Sequence, residues 1–159
     1  MDLKGDFHKL NDLNFSEKLA QNHFCVTLEL DPPRGPSAHS LIEQAHSLQS
    51  HIDAINIADC PMAKLRMSPI AVSRLIQEQT TISAIFHLTC RDRNLLGLQA
   101  ELLGAAGLGI TYLLALTGDH PERGDHPDAS AVFDTDGIGL IRIANNLNRG
   151  VDYYGNELN

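Results

Sequence analysis

Four polar residues, Glu29, Asp59, Thr89 and Asp119, recur at intervals of thirty positions, each where an apolar run gives way to a loop. Glu29 sits one residue from the end of "FCVTLEL". A carboxyl in a water-poor mouth has its pKa raised and serves as a general acid near neutral pH. Asp119, beside Gly118, is placed to stay ionised and to stabilise positive charge or position a polar heterocycle. The competing reading of each carboxylate is a cap on the next helix or a partner for an arginine. His87 shares one strand face with Thr89, because alternate residues point the same way. It either hydrogen-bonds a ligand or satisfies a core carbonyl.

Of the twelve cations, six fall in the same loops: Arg34, Lys64, Arg66, Arg91, Arg93 and Arg123. They either gather a small anionic ligand or pair with nearby carboxylates. The His120, Asp125, His126, Asp128 cluster has metal-capable side chains, but its spacing matches no recognised site and its prolines suggest a solvated loop. Cys60 and Cys90 could join His87 on a zinc ion, yet small buried thiols are the commoner explanation. No metal is expected.

These residues need elements to hold them, and the chain repeats one order: strand, charged loop, helix. The strands are Phe24–Leu30, Asp53–Asp59, Thr81–Cys90 and Ile110–Leu116. The helices are Ser37–Ser50, Ser68–Gln79, Asn94–Ala106 and Asp136–Asn148, with a short leading helix over Phe15–Asn22. In the first of the four, Leu41, Ala45 and Leu48 form one face and Ser37 is a plausible cap. Strands that are almost continuously apolar imply parallel pairing with helices covering the sheet. A spacing of about thirty residues suits a (β/α)8 barrel, roughly 250 residues over eight units, whose chemistry gathers at the C-terminal strand ends. An open nucleotide-binding sheet would show a Gly-rich first turn, and "ELDPPRGP" is unlike one. "GAAGLG" ends a helix instead of opening one.

The 159 residues suffice for one domain, 1–159. The formal net charge of −8 argues against nucleic acid as a partner. Three separated cysteines indicate neither a disulfide framework nor a zinc ribbon. The longest apolar runs are too short for a membrane span, and the acidic N-terminus lacks a leader's basic and apolar regions, so a cytoplasmic location is expected.

The segments "VTLELDPPRG", "DAINIADCPMAKLRMS", "HLTCRDRNLLGLQAELLGAAGLGI", "LALTGDHPERGDHP" and "VFDTDGIGLI" resemble the methylenetetrahydrofolate reductase family over nearly the whole chain. The CRDRN and RMS segments are similar to the branch fused to homocysteine methyltransferases. The resemblance implies a (β/α)8 barrel holding FAD and reducing 5,10-methylenetetrahydrofolate to 5-methyltetrahydrofolate with NAD(P)H, in one-carbon metabolism and methionine biosynthesis. It implies Glu29 as the general acid that assists opening of the folate ring, and Asp119 as the carboxylate near the flavin and the pterin. Cofactor contacts then fall on Asp59, His87, Thr89, Leu116, Thr117, Gly118, Asp119, Phe133 and Asp134.

Some relatives carry Arg where this chain has Thr117, leaving Arg91 or Arg93 to supply a phosphate contact, and some have Thr-Tyr in place of Ala58 and Asp59. The family barrel needs eight units and only about four are read here. The expectation is therefore a half-barrel, the N-terminal part of a reductase, inactive in isolation. The alternative is a non-catalytic half-barrel that binds an anionic pterin or nucleotide, or completes a barrel with a partner chain or a second copy.

Overall fold

In the computed structural model, which describes residues 13–158, four strands pair in the order β1-β2-β3-β4. They are β1 (Thr27–Leu30), β2 (Ala54–Ile57), β3 (Ser83–Thr89) and β4 (Tyr112–Leu116), and every pair is parallel. The helices are α1 (Phe15–Ala20), α2 (His39–Leu48), α3 (Pro69–Gln79), α4 (Leu95–Gly107) and α5 (Gly137–Asn148). The reading of the extreme N-terminus as lacking a leader falls on residues outside those described.

Strand order that follows chain order decides between the two βαβ architectures. A doubly wound sheet reverses its order at a switch point, whereas right-handed crossovers between successive neighbours keep all the helices on one face. This sheet is singly wound, and its four units make the wall of a partial (β/α)8 barrel. The helix face carries the core: Ile55, Ile57 and Ala84 pack with Leu41, Ala45, Val72 and Ile76. Further along, Phe86, Leu88 and Cys90 pack with Leu98, Leu140 and Ile143. Burial of such side chains stabilises by roughly 1.5–3 kcal/mol each. On the opposite face Phe15 of α1 meets Tyr112 edge-on with ring centroids 5.1 Å apart, while Leu114 further along β4 is 41% exposed.

Helix ends follow local side-chain chemistry. Asn94 Oδ1 accepts the Gly97 N–H at 2.9 Å and Asp136 Oδ1 accepts the Gly139 N–H at 2.8 Å, each satisfying an orphan donor of the first turn. Asn14 and Glu17 form a reciprocal capping box on α1. Ser68 precedes Pro69 at the start of α3. Ser37 is not a cap: α2 begins two residues later, with Ala38 at the cap position and no side-chain hydrogen bond.

The strands are shorter than their apolar runs. β1 starts at Thr27, not Phe24, because it is an edge strand whose pairing begins with Thr27 opposite Ala54; Phe24 is 89% exposed. The chain just before it is held by Asp53 instead. Its backbone N–H donates to the Val26 carbonyl at 2.8 Å and its Oδ2 accepts the Val26 N–H at 2.7 Å. Lys18 of α1 donates to Asp53 Oδ1 at 2.5 Å, which fixes the leading helix under the sheet. β2 stops at Ile57 because Asp59 and Cys60 turn away, the latter with φ of 46°. No described helix is long and apolar enough to cross a membrane.

Candidate functional site

Register places the reactive side chains. Glu29 lies opposite Asn56, Asn56 opposite Ile85 and Ile85 opposite Tyr112, so these residues form one row on the face turned away from α2–α5. Two further rows toward the C-terminal strand ends pair His87 with Leu114 and Thr89 with Leu116. At that end a cleft of about 350 Å3 brings together Glu29, Asp59, His87, Thr89, Gly118 and Asp119, with Leu116 beside them. A larger cleft of about 800 Å3 opens at the other end of the strands, beside Phe15 and Lys18, and none of these residues reaches it.

Three of the sequence candidates are directed elsewhere. The Thr117 hydroxyl accepts the Gly137 N–H at 3.1 Å at the start of α5. Asp134 Oδ2 accepts the Leu95 N–H at 3.1 Å and so caps α4. Phe133, with φ of 44°, packs against the helix-side core and stacks on His120 with ring centroids 6.1 Å apart.

Within the cleft, Asp59 is the most constrained group. Its side chain is 1% exposed, and its Oδ2 accepts both the Thr89 N–H and the Thr89 hydroxyl at 2.9 Å. Arg93 donates to both of its oxygens, at 2.8 and 3.2 Å. A buried carboxylate that accepts several charge-assisted bonds is saturated, and it rigidifies what it holds. Asp59 and Thr89 thus form the floor of the cleft.

His87 is 4% exposed and its Nε2 lies 3.3 Å from Asn56 Oδ1 on the neighbouring strand. Burial pushes its pKa below the ordinary value, against the smaller opposing pull of Glu29 and Asp59. The ring is therefore neutral near pH 7, with one nitrogen a donor and the other an acceptor. Asn56 is a site residue that sequence reading missed. A polar side chain between Ala54 and Ala58 in an apolar strand was the available signal.

Glu29 is exposed on the open face, so the described residues do not form the water-poor mouth expected around it. Asp119 is half exposed, with Oδ1 3.7 Å from Arg123 Nη1. Gly118 before it has φ of +94°, and a Cβ there would stand 2.9 Å from the Thr89 Cβ. Only glycine permits both that conformation and that approach.

The rim cations are mostly spent. Arg34 pairs with Asp125, Arg66 with Asp31, Arg91 with Asp92, Arg93 with Asp59 and Arg123 with Asp119. Pairing with carboxylates, not a collected anion site, is what this geometry provides. The thiols of Cys60 and Cys90 are both pushed above the ordinary pKa by burial, and Cys90 lies in the core on the helix side of the sheet. Among the described residues no group of three or more His, Cys, Asp or Glu side chains could hold a metal ion.

Comparison with known proteins adds a family. The methylenetetrahydrofolate reductase family profile matches residues 14–157. No curated protein matches the chain.

Proposed function

We propose that this chain, which belongs to the methylenetetrahydrofolate reductase family, contributes the acid and one wall of a flavin site. The reaction is reduction of 5,10-methylenetetrahydrofolate to 5-methyltetrahydrofolate with NAD(P)H. The convergence of Glu29, His87 and Asp119 on one cleft at the C-terminal strand ends carries this reading, since chemistry in (β/α) barrels gathers there.

The cleft suits part of FAD. Neutral His87, the backbone beside Gly118 and the carboxylate of Asp119 offer polar contacts, and Leu114 and Leu116 offer apolar ones; a flat heterocycle uses both. The diphosphate is less well served, because the five arginines at the rim are already paired. FAD, when bound, supplies hydride. This chain's own part is to orient the rings through His87 and Asp119 and to deliver a proton from Glu29 to the folate nitrogen released as the five-membered ring opens.

A second reading rests on a separate observation. The outer edges of β1 and β4 are unpaired among the described residues, and an open parallel edge is a template for further strands. The chain then completes its barrel with further sequence of a longer polypeptide, a second copy or another protein. Folate and NAD(P)H are the small-molecule partners of the completed site, and a cytoplasmic location fits its reducing chemistry.

The test is a visible absorption spectrum of the purified chain after incubation with FAD and removal of unbound cofactor. A retained flavin band that NAD(P)H bleaches and methylenetetrahydrofolate restores supports the reductase site. Flavin uptake only after a second polypeptide is added supports the second reading, and no uptake under either condition overturns the flavin assignment.

A further inference from the structure

We propose that Asp125 is a positioning residue: it clasps the loops after β1, β2 and β4 together and so holds the Pro61–Met62 wall of the cleft in place. The proposal rests on the reading of that cleft as a ligand site. Asp125 Oδ2 accepts from Arg34 Nη2 at 2.7 Å in the loop after β1. Its Oδ1 accepts the backbone N–H of Leu65 at 3.0 Å in the loop after β2, and lies 2.8 Å from His126 Nδ1. The hydrogen bond from His126, then that from Leu65, hold its carboxyl down at about 2, so it is an anion at any ordinary pH.

The wall requires such a tie. Cys60, Met62 and Ala63 have φ of 46°, 53° and 55°, a conformation that L residues adopt only when their surroundings impose it. Some restraint comes from the near side: Arg91 donates to the Cys60 carbonyl at 3.2 Å and the Met67 N–H donates to the Pro33 carbonyl at 2.8 Å. On the far side, Gly124 lies so close that a Cβ on it would meet the Ala63 carbonyl oxygen at 1.8 Å. Asp125 follows directly and fixes that approach. Met62, 57% exposed, is thereby presented to the cleft instead of folding back on its own loop. A wall set before the ligand arrives spares the ligand the cost of ordering it.

Limited trypsinolysis of the whole chain reads the clasp through Lys64 and Arg66, which lie within the tied loop. Asp125→Ala is expected to speed cleavage after these two residues about tenfold, as loss of charge-assisted hydrogen bonds raises the population of the opened loop. Cleavage after Arg142 and Arg149 stays at the wild-type rate. Asp125→Asn, which keeps an oxygen for the Leu65 N–H but loses the ion pair, falls between. Should Asp125→Ala not fold, Arg34→Gln removes the side-chain tie alone and gives a smaller increase of the same pattern. Unchanged cleavage after Lys64 and Arg66, or acceleration at every site alike, overturns the proposal. Titration with FAD, followed by flavin fluorescence, supplies the second readout: Asp125→Ala binds about tenfold more weakly if the wall is in place a tenth as often, and Asp125→Asn recovers part of the loss. Equal affinity in wild type and variant, with the loop opened, refutes the positioning role. A wild-type chain that takes up no flavin refutes the flavin reading of the site, while the trypsin pattern still decides the clasp.

Discussion

Arg93 reaches Asp59 from thirty-four positions along the chain and binds both of its oxygens, Nη1 to Oδ2 at 2.8 Å and Nη2 to Oδ1 at 3.2 Å. The two residues join the end of β2 to the loop after β3, and the same carboxylate holds Thr89 by its backbone and its hydroxyl. Of the two sequence readings of Arg93, an anion contact or a partner for a carboxylate, the second is what the structure shows, and the residue is part of the floor beneath the site.

Removing one member of such a pair leaves the other charge buried and unmatched, which costs about 3–5 kcal/mol, more than the pair contributes over an apolar replacement. Arg93→Met is therefore expected to lower stability to urea by that amount, and the double variant Asp59→Leu, Arg93→Met by less than the sum of the two single changes. Additive losses in the cycle would show that the two side chains are not coupled.

His87 gives stability a pH dependence of definite sign. Burial holds its folded pKa below the ordinary 6.5, so between those two values the unfolded chain binds a proton that the folded chain does not. Stability is then at its plateau above about pH 6.5 and falls as pH drops through that window. Urea unfolding at about pH 7.5 and about pH 5.5 should show a loss in the wild type that His87→Gln reduces. Equal losses in both would assign the slope to other groups.

Much of this framework was legible in the sequence, and the part that was not has a common cause. The order of elements and the single face shared by His87 and Thr89 follow from local patterns of spacing and polarity, whereas Asn94 and Asp136, placed from sequence as the first residues of their helices, are the caps that precede them. Local pattern does not report partners. Asp59 and Arg93, or Arg34 and Asp125 at ninety-one residues' separation, meet only because the sheet brings loop ends together. Strand ends escaped for a related reason: Phe24 continues the apolar run of β1, but the ladder begins only with Thr27 opposite Ala54, and just before it the Asp53 side chain takes the Val26 N–H. The family resemblance implies Thr117 and Asp134 as cofactor contacts, whereas in the structure each accepts a hydrogen bond from the N-terminal turn of a helix.

Gly118 joins the last strand to Asp119, and its replacement tests how tightly the cleft is assembled. Gly118→Ala imposes a side chain at φ of +94° and drives a Cβ to 2.9 Å from that of Thr89 and 3.2 Å from that of Arg91. Left-handed strain together with the displaced floor should cost about 2–4 kcal/mol. The urea midpoint measures it. An alanine variant as stable as the wild type would mean that the β4 end and the Thr89 floor can move apart freely.

Glu29 separates stability from chemistry. Its side chain is exposed on the open face and forms no hydrogen bond or ion pair with the described residues, so Glu29→Gln should change stability by no more than about 0.5 kcal/mol. If it is the acid, the same change in the assembled reductase slows folate reduction by about 10²–10⁴-fold. Flavin reduction by NAD(P)H, which needs no proton on the folate, stays within a few-fold. Stopped-flow measurement of the two half-reactions distinguishes these effects. Equal loss in both halves would assign Glu29 to binding or assembly, and loss in neither would return it to an ordinary surface carboxylate.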